Sequence, residues 1–259
     1  MIDHLSADFD VYVHIDKKSK LTLANTKATF IKRTKVYWGS YNQIKATLEL
    51  FKTAYLKKYD RYILISGQDM PIKTNKDIIS FFESNRDKQF LENNPLPIKW
   101  WNSEGGLERI KYYYFKSNSI FIGKVFGKLT HWIKRLKFTH RKIDNQYYGG
   151  ANWTNLNANA VELILDYISK NPGYLKRFKF TNCADELFFQ TILLNSSLAQ
   201  TCENDTLRYF NWSKGPEYPR TLRKDDLEDI QHSKALFARK FDETVDKEII
   251  SLIYEHLKK

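Results

Sequence analysis

Cysteine is scarce in this chain, with only Cys183 and Cys202 among 259 residues. A disulfide framework is therefore unnecessary, and a reducing cytosol suits the sequence. Long apolar runs are missing as well. None approaches the ~18 residues that a spanning helix needs, and the first ten residues carry Asp3, Asp8 and Asp10 where a signal peptide would have its hydrophobic centre. The expected location is cytoplasmic, with any membrane association peripheral and on the inner face of the cytoplasmic membrane. No internal repeat, low-complexity tract or linker interrupts the chain, so residues 1–259 are expected to form one compact unit.

Acidic residues are also in deficit. Lys and Arg number 42 against 30 Asp and Glu, which gives a net charge of +12 and points to anionic partners: nucleic acid, a nucleotide diphosphate or a phospholipid leaflet. No helix-turn-helix, zinc or single-strand-binding motif is present, which argues against nucleic acid. The densest basic segment, Lys124 to Lys142, interleaves Lys128, Lys134, Arg135, Lys137, Arg141 and Lys142 with Phe126, Leu129, Trp132, Ile133, Leu136 and Phe138. It reads either as a stretch for peripheral contact with an anionic membrane or as a solvated helix or loop face. The aromatic fraction of 15% supplies flat rings for the core and for stacking on sugars.

Strand and helix signals alternate in the first third. Val11 to Ile15, Val36 to Trp38 and Tyr62 to Ser66 are β-branched or aromatic runs ended by polar or glycine turns. Between them Ile44, Leu48, Phe51 and Tyr55 recur at helical spacing, and Pro71 leads into a helix around Asn75 to Glu83. This order predicts an α/β fold with a mostly parallel twisted sheet flanked by helices. Ligands of such sheets bind beyond the carboxyl ends of strands, which singles out the loops at Asp16 and Asp69. Asn93 to Asn145 is weakly periodic and reads as an excursion over one side. Helical spacing returns at Val161, Ile164, Leu165 and Ile168, and at Val245, Ile249, Leu252 and Ile253.

Five segments, Val13-His14-Ile15-Asp16, Trp38-Gly39-Ser40, Ser66 to Ile72, Asp185 to Gln190 and Leu236 to Asp242, together resemble one family. It is that of the core-2/I-branching β-1,6-N-acetylglucosaminyltransferases and peptide O-xylosyltransferases, in its shorter bacterial form. Tyr148-Gly149-Gly150 with Trp153, and Leu207-Arg208-Tyr209 with Trp212-Ser213, fall in the expected order between them. The resemblance implies a GT-A type nucleotide-sugar fold, with a donor half over 1–92 and an acceptor and catalytic half over 93–259. It implies inverting transfer of a sugar from a UDP-sugar to a hydroxyl of a glycan or lipid-linked oligosaccharide, in bacterial polysaccharide or capsule synthesis. UDP-GlcNAc is the favoured donor by association, with UDP-xylose and UDP-galactose open. The UDP-sugar is a substrate, and no cofactor or metal is implied. Family members begin with a further strand, loop and helix around the uridine, whereas about ten residues precede Val11 here. The N-terminal strand is thus expected to be missing, and a catalytically impaired sugar- or nucleotide-binding protein is the alternative.

The same resemblance assigns residues. Glu186 implies the catalytic base; taken alone it is a first-turn acid that complements a helix dipole, with Asp185 as N-cap. An apolar setting of Phe188, Phe189 and Trp212 would tune it. Lys240, next to Arg239, matches the family's phosphate-contacting lysine; alone the pair reads as a solvated helix approach, and Arg220 is a second candidate phosphate contact. Asp69 and Asp16 stand where a carboxylate can bind a ribose or donor-sugar hydroxyl or cap the next turn. Trp153 and Trp212 are candidate stacking platforms for the acceptor, or core, and Arg109 is a candidate acceptor contact. Trp38 with Gly39 reads as a structural strand end, and His14 as a hydrogen-bonded strand residue. The only Asp-x-Asp pair, Asp8 and Asp10, precedes the first strand, away from the strand end where a metal pair would stand.

Overall fold

A computed structural model describes residues 1–22, 27–115, 120–213 and 219–258. Its strands are β1 (Tyr12–Val13), β2 (Thr29–Phe30), β3 (Arg61–Ile63), β4 (Asp69–Pro71), β5 (Gln89–Leu91), β6 (Asn94–Pro95), β7 (Tyr148–Gly149), β8 (Thr154–Asn157), β9 (Cys202–Glu203), β10 (Arg208–Phe210) and β11 (Phe237–Arg239). The helices are α1 (Ile2–Leu5), α2 (Tyr41–Tyr55), α3 (Asn75–Ser84), α4 (Asn102–Gly105), α5 (Leu107–Lys111), α6 (Ile120–Arg135), α7 (Ala158–Lys170), α8 (Pro172–Phe178), α9 (Asp185–Leu194), α10 (Leu227–His232) and α11 (Lys247–His256).

The helices form where apolar spacing and caps agree. Ile44, Leu48 and Phe51 of α2, Val161 and Ile164 of α7, and Ile249 and Ile253 of α11 are buried as their spacing predicts. Each such side chain contributes roughly 1.5–3 kcal/mol of burial. Side-chain oxygens of Thr74, Asn157 and Asp246 accept from the amides of Asp77, Ala160 and Ile249 and so cap α3, α7 and α11, each worth about 1 kcal/mol. Val245, expected on the last helical face, precedes α11 and is exposed.

The class is α/β, but the sheet is mixed rather than mostly parallel. In the four-stranded sheet β3-β8-β5-β9, β8 runs antiparallel to both β3 and β5, and only β5 and β9 are parallel. The chain enters β8 from the 150–153 segment, at the end of the sheet where β3 and β5 finish, so β8 must run back between them. A second sheet, β10-β11-β4, pairs β11 parallel with β10 and antiparallel with β4. The run expected as one strand to Ser66 therefore breaks at a turn and crosses from one sheet into the other. Val36 to Trp38 is not a strand: the Val36 amide donates to Asp16 Oδ1 and the Tyr37 carbonyl accepts from Ser40. The 93–145 excursion carries α4, α5 and α6, so it is more regular than its sequence implied.

The main core packs α2, α7 and α9 against β3 and β8, through Phe51, Tyr62, Leu156, Ile164, Phe188 and Phe189. A second core lies under α11 and the β4–β11 pair, and a third under α3 and β5. A cavity of about 360 Å³ lies between Leu5, Phe9, Tyr12, Phe51 and residues 61–65. It borders β3, the terminal strand of its sheet.

Candidate active site

Glu186 is the second residue of α9, whose start is set by the buried side chain before it. Asp185, expected as the N-cap, is instead inside the helix, with Ala184 at the cap position. Its Oδ2 accepts from Gln43 Nε2 and Asn152 Nδ2, both at 3.1 Å, which ties α2 and the 150–153 segment to the helix start. The Gly39 carbonyl accepts from the Cys183 amide at 3.0 Å, and Gly39 has a left-handed φ of 62° that lets the chain turn there. Trp38 beside it is mostly exposed, in a turn rather than at a strand end.

The Glu186 side chain is one-third exposed. Arg109 Nη1 donates to its Oε2 at 2.5 Å, and the Arg109 guanidinium lies 3.9 Å from the Trp101 ring centroid. A charge-assisted bond of this kind orients a carboxylate. Phe188 and Phe189 are turned into the main core and Trp212 is mostly exposed, so these three rings do not form the apolar setting expected for Glu186. Phe188, two positions on, lies about 200° around the helix from Glu186 and so leaves the carboxylate's side. Arg109, expected at the acceptor, is thus a partner of the candidate base.

A second cluster forms around Asp69, which is almost completely buried at the start of β4. Oδ1 accepts from Arg239 Nη1 at 2.9 Å, while Oδ2 accepts from Trp153 Nε1 at 2.9 Å and the Ser66 amide at 2.6 Å. Arg239 also donates to Ser66 Oγ at 2.7 Å and lies 4.3 Å over the Trp153 ring. Trp153 thus belongs with the residues expected on the donor side. Ring contacts continue edge-to-face from Trp153 to Phe210 at 5.6 Å and in a tilted arrangement from Phe210 to Trp212 at 6.0 Å. Arg208, which lies in the Leu207-Arg208-Tyr209 segment and was not expected at the site, is buried near Asp69. It donates to Asn155 Oδ1 at 3.1 Å and the Leu64 carbonyl at 2.6 Å. Burial pushes its guanidinium down to about 10, against the opposing pull of Asp69.

Lys240 follows Arg239 and is half-buried. Its carbonyl accepts from Leu222, while the next amide, Phe241, donates to the Gln68 carbonyl at 2.9 Å. The lysine is thereby held between the Asp69 turn and the 220–222 segment. Arg220 is committed elsewhere: Nη2 donates to Asp226 Oδ2 at 2.5 Å, and Asn211 donates to the other Asp226 oxygen at 2.7 Å. That clasp ties Asn211, next to Trp212, to Arg220 through Asp226. Asp16 is engaged locally, accepting from the Lys18 and Val36 amides at 2.9 and 3.3 Å. Burial raises its carboxyl while those amides and Lys18 lower it, and the net position is below the usual range. His14 accepts from the Thr34 amide at 3.0 Å, a hydrogen-bonded residue as expected.

Residues 150–153 join the two clusters. The Gly150 amide donates to the Glu186 carbonyl at 3.0 Å, the Ala151 amide to Glu92 Oε2 at 2.8 Å, Asn152 to Asp185, and Trp153 to Asp69. Gly150 has to be glycine because a Cβ there would meet the Glu92 carbonyl oxygen at 2.2 Å. The pair read as an Asp-x-Asp motif lies apart from this site, with Asp8 accepting from Asn75 at 2.7 Å and Asp10 interacting with Tyr59. Among the described residues no helix is long and apolar enough to cross a membrane.

Comparisons with known proteins agree with the sequence pattern. The chain is 24% identical to Xylosyltransferase 2 of Rattus norvegicus over 276 residues, covering 95% of this chain and 30% of that protein. It is 22% identical to a Xylosyltransferase of Ciona intestinalis over 275 residues, and 25% identical to Xylosyltransferase 1 of Mus musculus over 280 residues. The chain spans under a third of the length of these curated relatives. The family model described as Core-2/I-Branching enzyme matches residues 1–234, which include Glu186, Asp69 and Trp153 and stop short of Arg239 and Lys240. The chain belongs to the Core-2/I-branching enzyme family.

Proposed function

We propose that this chain is an inverting, metal-independent glycosyltransferase. It moves a sugar, with GlcNAc the favoured case, from a UDP-sugar to a hydroxyl of a glycan or lipid-linked oligosaccharide, in bacterial polysaccharide or capsule synthesis. The observation that carries this reading is the 150–153 segment, which ties the start of α9 to the Asp69–Arg239–Trp153 cluster through hydrogen bonds from Gly150 to Glu186, Asn152 to Asp185 and Trp153 to Asp69. A carboxylate base and an ion-paired cluster that holds Lys240 beside it, in fixed relation, are what a single displacement at an anomeric carbon requires.

In this mechanism Glu186 takes the proton of the acceptor hydroxyl on Oε1 while Arg109 holds Oε2. The acceptor oxygen bonds to the anomeric carbon as the bond to UDP breaks, and that electron pair goes to the diphosphate oxygen. Lys240 balances the charge gathering there. Arg239 and Trp153 are positioning residues, since the guanidinium and the indole N–H are both directed at Asp69. Metal independence is supported by the Asp69 carboxylate: both of its oxygens already accept from protein donors, so a metal would have to displace a buried ion pair. A GT-A type donor half over 1–92 supplies Asp69, and the rest of the chain supplies the base and the cations.

The test is UDP release by purified protein from UDP-GlcNAc, UDP-xylose and UDP-galactose in excess EDTA. Turnover of UDP-GlcNAc that survives EDTA is expected. Activity abolished by EDTA and restored by a divalent cation would overturn the metal-independent mechanism. UDP binding without turnover of any donor would favour an impaired, binding protein.

A further inference from the structure

The helix α6 presents an exposed apolar stripe that runs on past its end. Val125, Leu129, Trp132 and Leu136 recur at i, i+4, i+7 and i+11, so they form one stripe. They are 49%, 41%, 66% and 42% exposed, and Phe138, just beyond the helix, is 86% exposed. The body of the protein is met by a different face: Thr130 Oγ1 accepts from the Phe115 amide at 3.3 Å, Phe126 touches Phe115, and Lys134 lies 4.4 Å over Tyr114. A third face bears Lys124, Lys128 and Arg135, all exposed. No Asp or Glu occurs from Arg109 to Ile143.

A contiguous exposed apolar ridge marks an interaction surface, and its chemistry selects the partner. A second copy of this chain would bring one basic strip against another, and like charges repel. A nucleic acid would satisfy the lysines but not cover Leu129, Trp132 and Phe138. An anionic bilayer meets both demands: aromatic rings settle at the headgroup level, and lysines and arginines are drawn to the surface charge.

We propose that the Val125–Phe138 ridge docks this protein in plane on an anionic lipid bilayer. The attachment is rigidly coupled to the candidate active site. The Arg141 amide donates to the Lys111 carbonyl, and its guanidinium to the carbonyls of Arg109 and Tyr112 at 3.1 and 2.6 Å. The docked segment is thereby clamped to α5, whose Arg109 holds Glu186. On the glycosyltransferase reading, the base is thus held at a fixed place relative to acceptors carried on that surface.

The test is sedimentation of the full chain with phosphatidylcholine vesicles, with and without phosphatidylglycerol, at low salt. Binding is expected only with the anionic vesicles. A K124E/K128E variant and a W132S/F138S variant should each weaken it at least about tenfold. UDP release in solution should be unchanged in both, because neither touches the candidate site; this separates failure of the docking proposal from failure of the enzyme reading. Equal binding to neutral vesicles, no sedimentation of the unaltered protein, or undiminished binding by both variants would overturn the proposal. So would a dimer that W132S/F138S dissolves, which would assign the ridge to a second copy.

Discussion

Replacing Glu186 by Gln is expected to lower kcat by about 10²–10⁴, the range that a positioned general base supplies, and to leave KM for the UDP-sugar nearly unchanged. Gln fills the same volume, and its carbonyl can still accept from Arg109, so the helix start and the 150–153 segment stay in place. What is lost is the group that takes the acceptor proton. The split between kcat and KM matters because Glu186 is placed on the side opposite the donor cluster in the proposed displacement. Steady-state kinetics with the donor varied, at a saturating acceptor, reads both constants. A change confined to donor KM would show that Glu186 binds nucleotide and does no proton transfer.

The second large effect is at Asp69. Asp69→Asn keeps the shape of the side chain but removes the charge that faces Arg239, whose side chain is only 15% exposed. Breaking such a buried pair costs roughly 3–5 kcal/mol. The amide also points a donor group toward a site that already receives Trp153 Nε1 and the Ser66 amide. Urea unfolding should show the loss as a lower midpoint with little change in slope, and donor affinity should fall with it as Lys240 and Trp153 lose their anchor. In the D69N/R239Q double variant much of the stability should return, because no uncompensated cation remains. A midpoint unchanged in D69N would mean that the pair contributes nothing and that the cluster is held by other contacts.

The contrast between these two residues shows what the sequence can convey. The helix that carries Glu186 is readable from the acidic pair that opens the Asp185-to-Gln190 segment and the apolar residues beyond it. The buried faces of α2, α7 and α11 were equally readable, since a helical period repeats several times within each. The role of Asp69 was not: its partner Arg239 lies 170 residues away, and no local pattern encodes that meeting. The sense of the sheet was hidden for a related reason. Strands of two to four residues, such as β1, β4 and β8, carry too little alternation to fix direction or partner. Val36 to Trp38 has strand-forming side chains but spends the Val36 amide on Asp16, so composition misled where the hydrogen bonds decided. Trp153 reads in the sequence as a stacking or core ring, and nothing there shows that its indole N–H is directed at Asp69.

The most direct test of the account is the anomeric configuration of the product, read by proton NMR during transfer from an α-linked UDP-sugar. A single displacement with Glu186 as base predicts a β-linked product from the first turnover. An α-linked product would contradict it, because retention requires either two displacements or a front-face reaction, and the geometry around Glu186 would then need another role.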